Sequence, residues 1–288
     1  MSKLKPQIIQ TTLRTIAKAQ YYLEAKSPDD LIEAKKISLA KKLPLTIIGG
    51  GSNIALIQEE IKGLVVKNAY IDKKVVEETA DHVDLSVSSG YPVGLLVNET
   101  VDAGWSGFEY HKGLPGTVGG AIYMNAKWTR PVSYFGDRLI SANLVDGNGK
   151  AKCVDRNYFQ FAYDFSILQK TKEILIKAVF RLPKEIPVVL RQRAEGALAY
   201  RQATQPIGVA TSGCFFQNID GISAGYLIDK AGLKGYSVGG FYVSDKHANF
   251  IINRGNGKSE DLIKLIAIIK EKVKEKFGVE LKEEVVVV

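Results

Sequence analysis

The chain carries only two cysteines and three histidines in 288 residues. Cys153 and Cys214 are too few for a disulfide framework, and that scarcity fits a reducing, cytoplasmic setting. His82, His111 and His247 are dispersed with no metal-ligand spacing, which argues against a zinc site, so no metal is expected. No apolar run reaches the ~18 residues needed to span a membrane. The N-terminal stretch has two early lysines but no apolar core, so no secretory leader is expected. Internal repeats and low-complexity segments are lacking as well.

Charge is unbalanced towards the positive. Lys and Arg number 39 against 31 Asp and Glu, a formal net charge of +8. Nucleic-acid binding needs basic residues interleaved with stacking aromatics on one surface, and no such stripe exists. Lysine runs at 41–42, 73–74 and 270–276 read as solvated faces. A positive field serves phosphorylated small molecules equally well. The hydrophobic content of 45% is that of a globular protein, and the length suggests two or three domains.

What the chain does have is glycine in two concentrated places. Gly113-Leu114-Pro115-Gly116-Thr117-Val118-Gly119-Gly120-Ala121-Ile122-Tyr123-Met124-Asn125-Ala126 holds four glycines and a proline. Bare N–H groups in such a turn make a concavity suited to phosphates, and no Cβ blocks the approach of a ligand. A second run, Gly49-Gly50-Gly51-Ser52-Asn53, follows a strand-like segment at 43–48. It lacks the G-x-G-x-x-G spacing of a dinucleotide-binding helix.

Periodicity predicts the remaining elements. Residues 12–25 read as a strand, and Ser27-Pro28-Asp29-Asp30 as the capped start of a helix running to about Lys42. Strands are expected at 63–66, 83–87, 139–145 and 174–180, with a helix over 92–103 turning Leu95, Leu96 and Val101 inward. Asp146-Gly147-Asn148-Gly149 is a hairpin turn. Residues 188–199 read as helix, 200–206 as a polar connector, 212–218 as a short strand and 223–230 as a helix. A strand at 249–252 precedes a long amphipathic helix over 259–277, with Leu262, Leu265, Ile269 and Val273 inward. A last strand covers 284–288. A boundary is expected near 183–187.

Several of these stretches together resemble the UDP-N-acetylenolpyruvoylglucosamine reductase (MurB) family. The resemblance rests on residues 48–53, Gly107-Phe108-Glu109, residues 113–121, Ser212-Gly213-Cys214-Phe215-Phe216-Gln217-Asn218, residues 231–236, residues 243–250 and residues 277–281. They match in chain order over nearly the whole sequence, with the short (type II) form fitting best. The resemblance implies an α+β, three-domain flavoprotein. It would have a two-subdomain FAD-binding fold of the vanillyl-alcohol oxidase type, residues 1–66 and 67–183, and a C-terminal α/β substrate domain, residues 184–288.

The activity implied is NADPH-dependent, FAD-mediated reduction of the enolpyruvyl double bond of a UDP-sugar to UDP-N-acetylmuramate, by a cytoplasmic monomer. Gly49, Gly50, Gly51, Ser52 and Asn53 would surround the FAD pyrophosphate, with Gly116, Thr117, Gly120 and Ala121 along the rest of the cofactor. Cys214 stands where the family has a serine proton donor. A thiol of ordinary pKa ~8.5 is still protonated at neutral pH and can serve. Glu284 maps to the family's C-terminal glutamate. Tyr163, Arg201 and Asn218 map to substrate contacts.

One departure is serious. The family's Tyr-Arg-Asp-Ser motif reads here as Tyr163-Asp164-Phe165-Ser166, with Asp164 where an arginine is expected to face a developing enolate. Losing a cation ~4 Å from that charge forfeits roughly 4 kcal/mol at an effective dielectric of 20, about three decades in rate. Rescue by Arg201 or Arg193, with Asp164 turned towards it, is the expectation. After Asn125-Ala126, residues 127–131 also replace a glycine-tyrosine loop. A drifted non-catalytic binder and an oxidase of the same FAD fold are the competing readings.

Overall fold

The computed structural model describes residues 4–288 and divides into two compact units. The first holds Gln20–Gly50 and Lys62–Arg201; the second holds Pro6–Ala19, Gly51–Ile61 and Gln202–Val288. Among the described residues, no helix is long and apolar enough to cross a membrane.

Strands β1 (Lys5–Gln10) and β2 (Ile16–Ala25) are separated by a turn, so β2 starts later than the pattern suggested. In β1 only Ile9 is buried, which explains why no alternation marks it. Helix α1 (Pro28–Ala40) begins as its sequence dictates. The Ser27 side chain accepts from the Asp30 N–H at 3.2 Å, Pro28 opens the helix and Asp29 and Asp30 fill its first turn. Strand β3 (Leu45–Ile48) follows, then β4 (Ile54–Ala55) and β5 (Glu60–Asn68). Strands β3 and β5 pair in parallel, Leu45 opposite Leu64 through Ile48 opposite Lys67.

The rest of the first unit is a five-stranded antiparallel sheet with helices on it. Its strands are β6 (Lys73–Glu78), β7 (His82–Ser88), β10 (Leu139–Val145), β11 (Ala151–Asp155) and β12 (Ile174–Pro183), in the order β11-β10-β12-β7-β6. Between β7 and β10 come α2 (Val93–Asp102), α3 (Val118–Met124) and the short hairpin of β8 (Lys127–Thr129) with β9 (Val132–Tyr134). Helix α4 (Leu168–Thr171) precedes β12, and α5 (Pro187–Thr204) follows it.

Helix α2 turns Val93, Leu96, Val97, Thr100 and Val101 inward. Leu95, expected in the core, is 44% exposed because the buried stripe runs one position later. Helix α5 runs on through residues 200–204, which the sequence had suggested as a connector. Its inward positions are Leu190, Ala194, Ala197 and Arg201, so the stripe continues on a charged residue. The chain accordingly leaves the first unit after Arg201.

The second unit packs α6 (Ala224–Lys230) and α7 (Ser259–Phe277) on a sheet of β13 (Ala210–Cys214), β14 (Ser237–Val238), β15 (Phe241–Val243) and β16 (Phe250–Asn253), ordered β13-β16-β15-β14. Leu262, Leu265, Ile269 and Val273 of α7 are all wholly buried. The last strand, β17 (Val286–Val287), lies parallel to β4.

Three phenylalanines centre the first unit's core. Phe108 lies 4.8 Å from Phe135 and 5.0 Å from Phe180, ring centre to ring centre, and none has exposed surface. Phe135→Ala should cost about 3–5 kcal/mol by denaturant unfolding, the usual toll of an aromatic-sized cavity, and Phe135→Leu clearly less.

Candidate active site

The two glycine runs meet in the first unit. A Cβ on Gly50 would sit 2.8 Å from the Gly116 Cα, and one on Gly49 would collide with the Thr117 side chain. Only glycine permits this approach of backbone to backbone. The second run is itself fixed by main-chain bonds. Val118 N–H donates to Tyr91 O at 2.9 Å, Gly119 N–H to Ser89 O at 2.8 Å, and Val93 N–H to Gly116 O at 3.0 Å. Gly120 keeps open space, its Cβ position 3.9 Å from Thr117 Oγ1, and Ala121 is buried beneath it. The Lys67 ammonium donates to the Gly49 carbonyl, and burial pushes its pKa down. The two glycine runs thus pack backbone on backbone, with the Lys67 ammonium at the Gly49 carbonyl; bare glycine N–H groups beside a cation are the kind of surface that takes a diphosphate.

At the other end of α3 a second cluster forms. Asn125 adopts a left-handed conformation (φ 47°), its amide donating to Ala162 O at 3.0 Å and its carbonyl oxygen accepting from Gly136 N–H at 3.2 Å. Ser166 Oγ and Gln169 Nε2 donate to Tyr123 O at 2.8 and 3.0 Å, and Gln169 Nε2 also donates to Asp164 O at 2.8 Å. These bonds clamp the Asp164 turn to the end of α3. Asp164 is buried at φ 50°, a conformation aspartate tolerates better than most residues. Burial raises its pKa to about 6, opposed by a hydrogen bond from Tyr163 and by the charge of Lys127. The Lys127 ammonium stands 5.2 Å from the Tyr163 ring centre and 5.5 Å from that of Tyr134.

In the second unit the polar residues gather around β13 and β17. Glu284 N–H donates to Phe215 O at 2.9 Å, which sets Glu284 beside the residue after Cys214. Cys214 is half-buried at the end of β13, opposite Phe250. Glu283 is held by Lys270 at 2.9 Å. Asn53 Nδ2 donates to Glu284 O at 3.2 Å, and Val286 N–H to Asn53 O at 3.0 Å. Gly51 O accepts from the Thr12 N–H at 3.1 Å. Asn218 Oδ1 accepts from Ala224 N–H at 2.9 Å, capping the approach to α6. Cys214, Glu284 and Asn53 thus belong to one neighbourhood.

Residues 205–288 match the family model of the UDP-N-acetylenolpyruvoylglucosamine reductase C-terminal domain, and residues 19–154 match that of an FAD binding domain. The reductase of Chlamydia muridarum is 34% identical over 96% of this chain and 90% of its own length. That of Caldanaerobacter subterraneus is 36% identical over 91% and 85%. The chain belongs to the UDP-N-acetylenolpyruvoylglucosamine reductase family. The crystal structure of the Thermus caldophilus reductase (MurB) superposes with a TM-score of 0.81 at 27% identity, covering 99% of each chain.

In this reductase-family chain the charge of Lys127 acts on Asp164. Arg193 lies 3.6 Å from Glu109 and 3.7 Å from Glu185. Arg201 stacks 4.6 Å from the Trp128 ring and beside His111. Lys127 was legible only as a departure from a glycine-tyrosine loop, because nothing in its spacing ties it to residue 164. Glu77, His82 and Asp84 offer ligand atoms within 4.8 Å of one another, but Arg181 already holds Asp84 with two bonds of 2.8 and 2.6 Å.

Gly50→Ala should weaken FAD binding roughly tenfold or more, about 1.4 kcal/mol, read as flavin retained per chain, with far-ultraviolet dichroism unchanged. Two buried groups set opposite pH trends. Burial first, and the Arg201 charge second, push His111 down from 6.5 to about 3. The unfolded chain therefore binds the proton first, and stability falls as pH drops from about 6.5 towards 3. His111→Leu should flatten that slope in urea titrations. Asp164 is raised from 3.8 to about 6, so its ionisation costs stability as pH rises through that window, and Asp164→Asn should gain stability at pH 7.5 but not at pH 4.

Proposed function

We propose that the chain reduces the enolpyruvyl double bond of UDP-N-acetylglucosamine enolpyruvate to UDP-N-acetylmuramate, with NADPH as electron donor, in peptidoglycan precursor synthesis. FAD, when bound, supplies two-electron hydride chemistry between nicotinamide and substrate. The observation that carries the reading is the close approach of the two glycine runs, Gly50 against Gly116 and Gly49 against Thr117, with no room for a Cβ between them, in a chain of this family.

The chain's own residues then divide the work. Gly49, Gly50, Gly51, Ser52 and Asn53 hold the diphosphate of the cofactor, and Gly116, Thr117, Gly120 and Ala121 line its approach. Hydride reaching the terminal carbon of the enolpyruvyl group leaves an enolate, which needs positive charge and then a proton on the neighbouring carbon. Cys214 gives that proton from its thiol, and Glu284, set next to it by the Phe215 carbonyl, orients it. Asn218, Tyr163 and Arg201 bind the UDP-sugar. We assign cofactor binding to residues 1–66 and 67–183 and substrate binding to residues 184–288, in a cytoplasmic monomer.

The test is NADPH oxidation followed with and without UDP-N-acetylglucosamine enolpyruvate. Wild type should oxidise NADPH in a substrate-dependent manner. Cys214→Ala should lose about 10²–10⁴-fold in that rate, the usual weight of a general acid, while Cys214→Ser keeps most of it. Flavin-loaded protein without substrate-dependent oxidation would overturn the assignment.

A further inference from the structure

Reduction of an enolpyruvyl group concentrates negative charge at one end of the substrate, where a carboxylate already stands. Asp164 cannot answer it, being an anion at neutral pH in a buried turn. The same turn brings a cation. Lys127 lies two residues beyond the left-handed Asn125 that ends α3, and Asn125 itself bonds Ala162 in the Asp164 turn. Across the β8–β9 hairpin, Lys127 pairs with Tyr134. Its ammonium is therefore held from two sides, 5.5 Å from the Tyr134 ring and 5.2 Å from the Tyr163 ring, with the Asp164 carboxylate close enough for its charge to be felt. Aromatic faces on two sides attract a cation and favour this placement of the ammonium.

The cluster is also well placed along α3. That helix has seven residues, about 10 Å at 1.5 Å per residue, and it starts directly after Gly116 and Thr117, which pack against Gly50 and Gly49. One Asp164 oxygen is buried with no hydrogen-bond partner.

We propose that Lys127, set between Tyr134 and Tyr163 beside Asp164, binds the carboxylate of the enolpyruvyl substrate and stands in for the arginine that position 164 does not supply. Asp164 is a positioning residue that keeps the ammonium in place. The proposal rests on the reductase reading above.

Binding of two UDP-sugars to FAD-loaded protein by calorimetry separates the two ideas. UDP-N-acetylmuramate carries the carboxylate; UDP-N-acetylglucosamine does not. Lys127→Met should weaken the first by roughly 10-fold or more, leave the second unchanged, and retain flavin as wild type does. Lys127→Arg should restore most of the loss. In turnover, Lys127→Met should lower kcat by roughly 10²–10³-fold, the cost of removing one oxyanion-stabilising group. Equal binding of both ligands by wild type and Lys127→Met would overturn the proposal while leaving the reductase reading intact. Loss of both ligands together with flavin would make Lys127 structural and overturn it too. Wild type that binds neither sugar would overturn the reductase reading and, with it, this proposal.

Discussion

The first unit depends on one steric fact: the backbone at Gly50 passes so near Gly116 that a methyl group cannot stand between them. That approach is what brings two separate glycine runs together in one place. The runs are more than sixty residues apart in the chain, and each is anchored by its own elements. Parallel pairing of β3 with β5 delivers Gly49 and Gly50, while bonds to Ser89, Tyr91 and Val93 hold residues 116–119. Lys67, at the end of the β3–β5 pairing, brings its ammonium to the Gly49 carbonyl. The contact is therefore a product of sheet register as much as of glycine itself.

In the second unit the equivalent role falls to main-chain bonding at β13 and β17. Cys214 and Glu284 are seventy residues apart, and one backbone bond from Glu284 to Phe215 makes them neighbours. Asn249 adds rigidity by donating to Phe216 O at 2.7 Å and accepting from Phe216 N–H at 2.9 Å. Backbone bonds thus fix the strand end that carries Cys214.

How much of this was legible in the sequence depended on the kind of signal. Helix α7 follows from its 3.6-residue pattern with both ends correct, because its four buried residues are all aliphatic. The start of α1 follows from Ser27, Pro28 and two aspartates. The end of α5 did not, since the inward residue that prolongs it is Arg201, which a hydrophobic pattern cannot register. Leu95 faces out because α2's buried stripe is centred on Leu96 and Val97, a difference of one position that five apolar residues in a ten-residue helix leave undecided. The glycine runs were legible as runs, but nothing in the sequence says that Gly50 packs on Gly116 or that Glu284 bonds beside Cys214. Lys127 lay beyond reach: its neighbours come from two segments, Tyr134 across the β8–β9 hairpin and Tyr163 with Asp164 from a turn that Asn125 ties to the end of α3.

Everything functional here presupposes that the cleft holds a flavin dinucleotide. The most direct measurement is the stoichiometry and identity of the flavin bound by wild-type protein, obtained by reconstituting with FAD, removing the excess, denaturing and identifying the released chromophore by mass. One FAD per chain, not displaced by riboflavin lacking the diphosphate, is the result the cleft predicts. Protein that stays colourless after reconstitution, or that takes up riboflavin as readily as FAD, would contradict it.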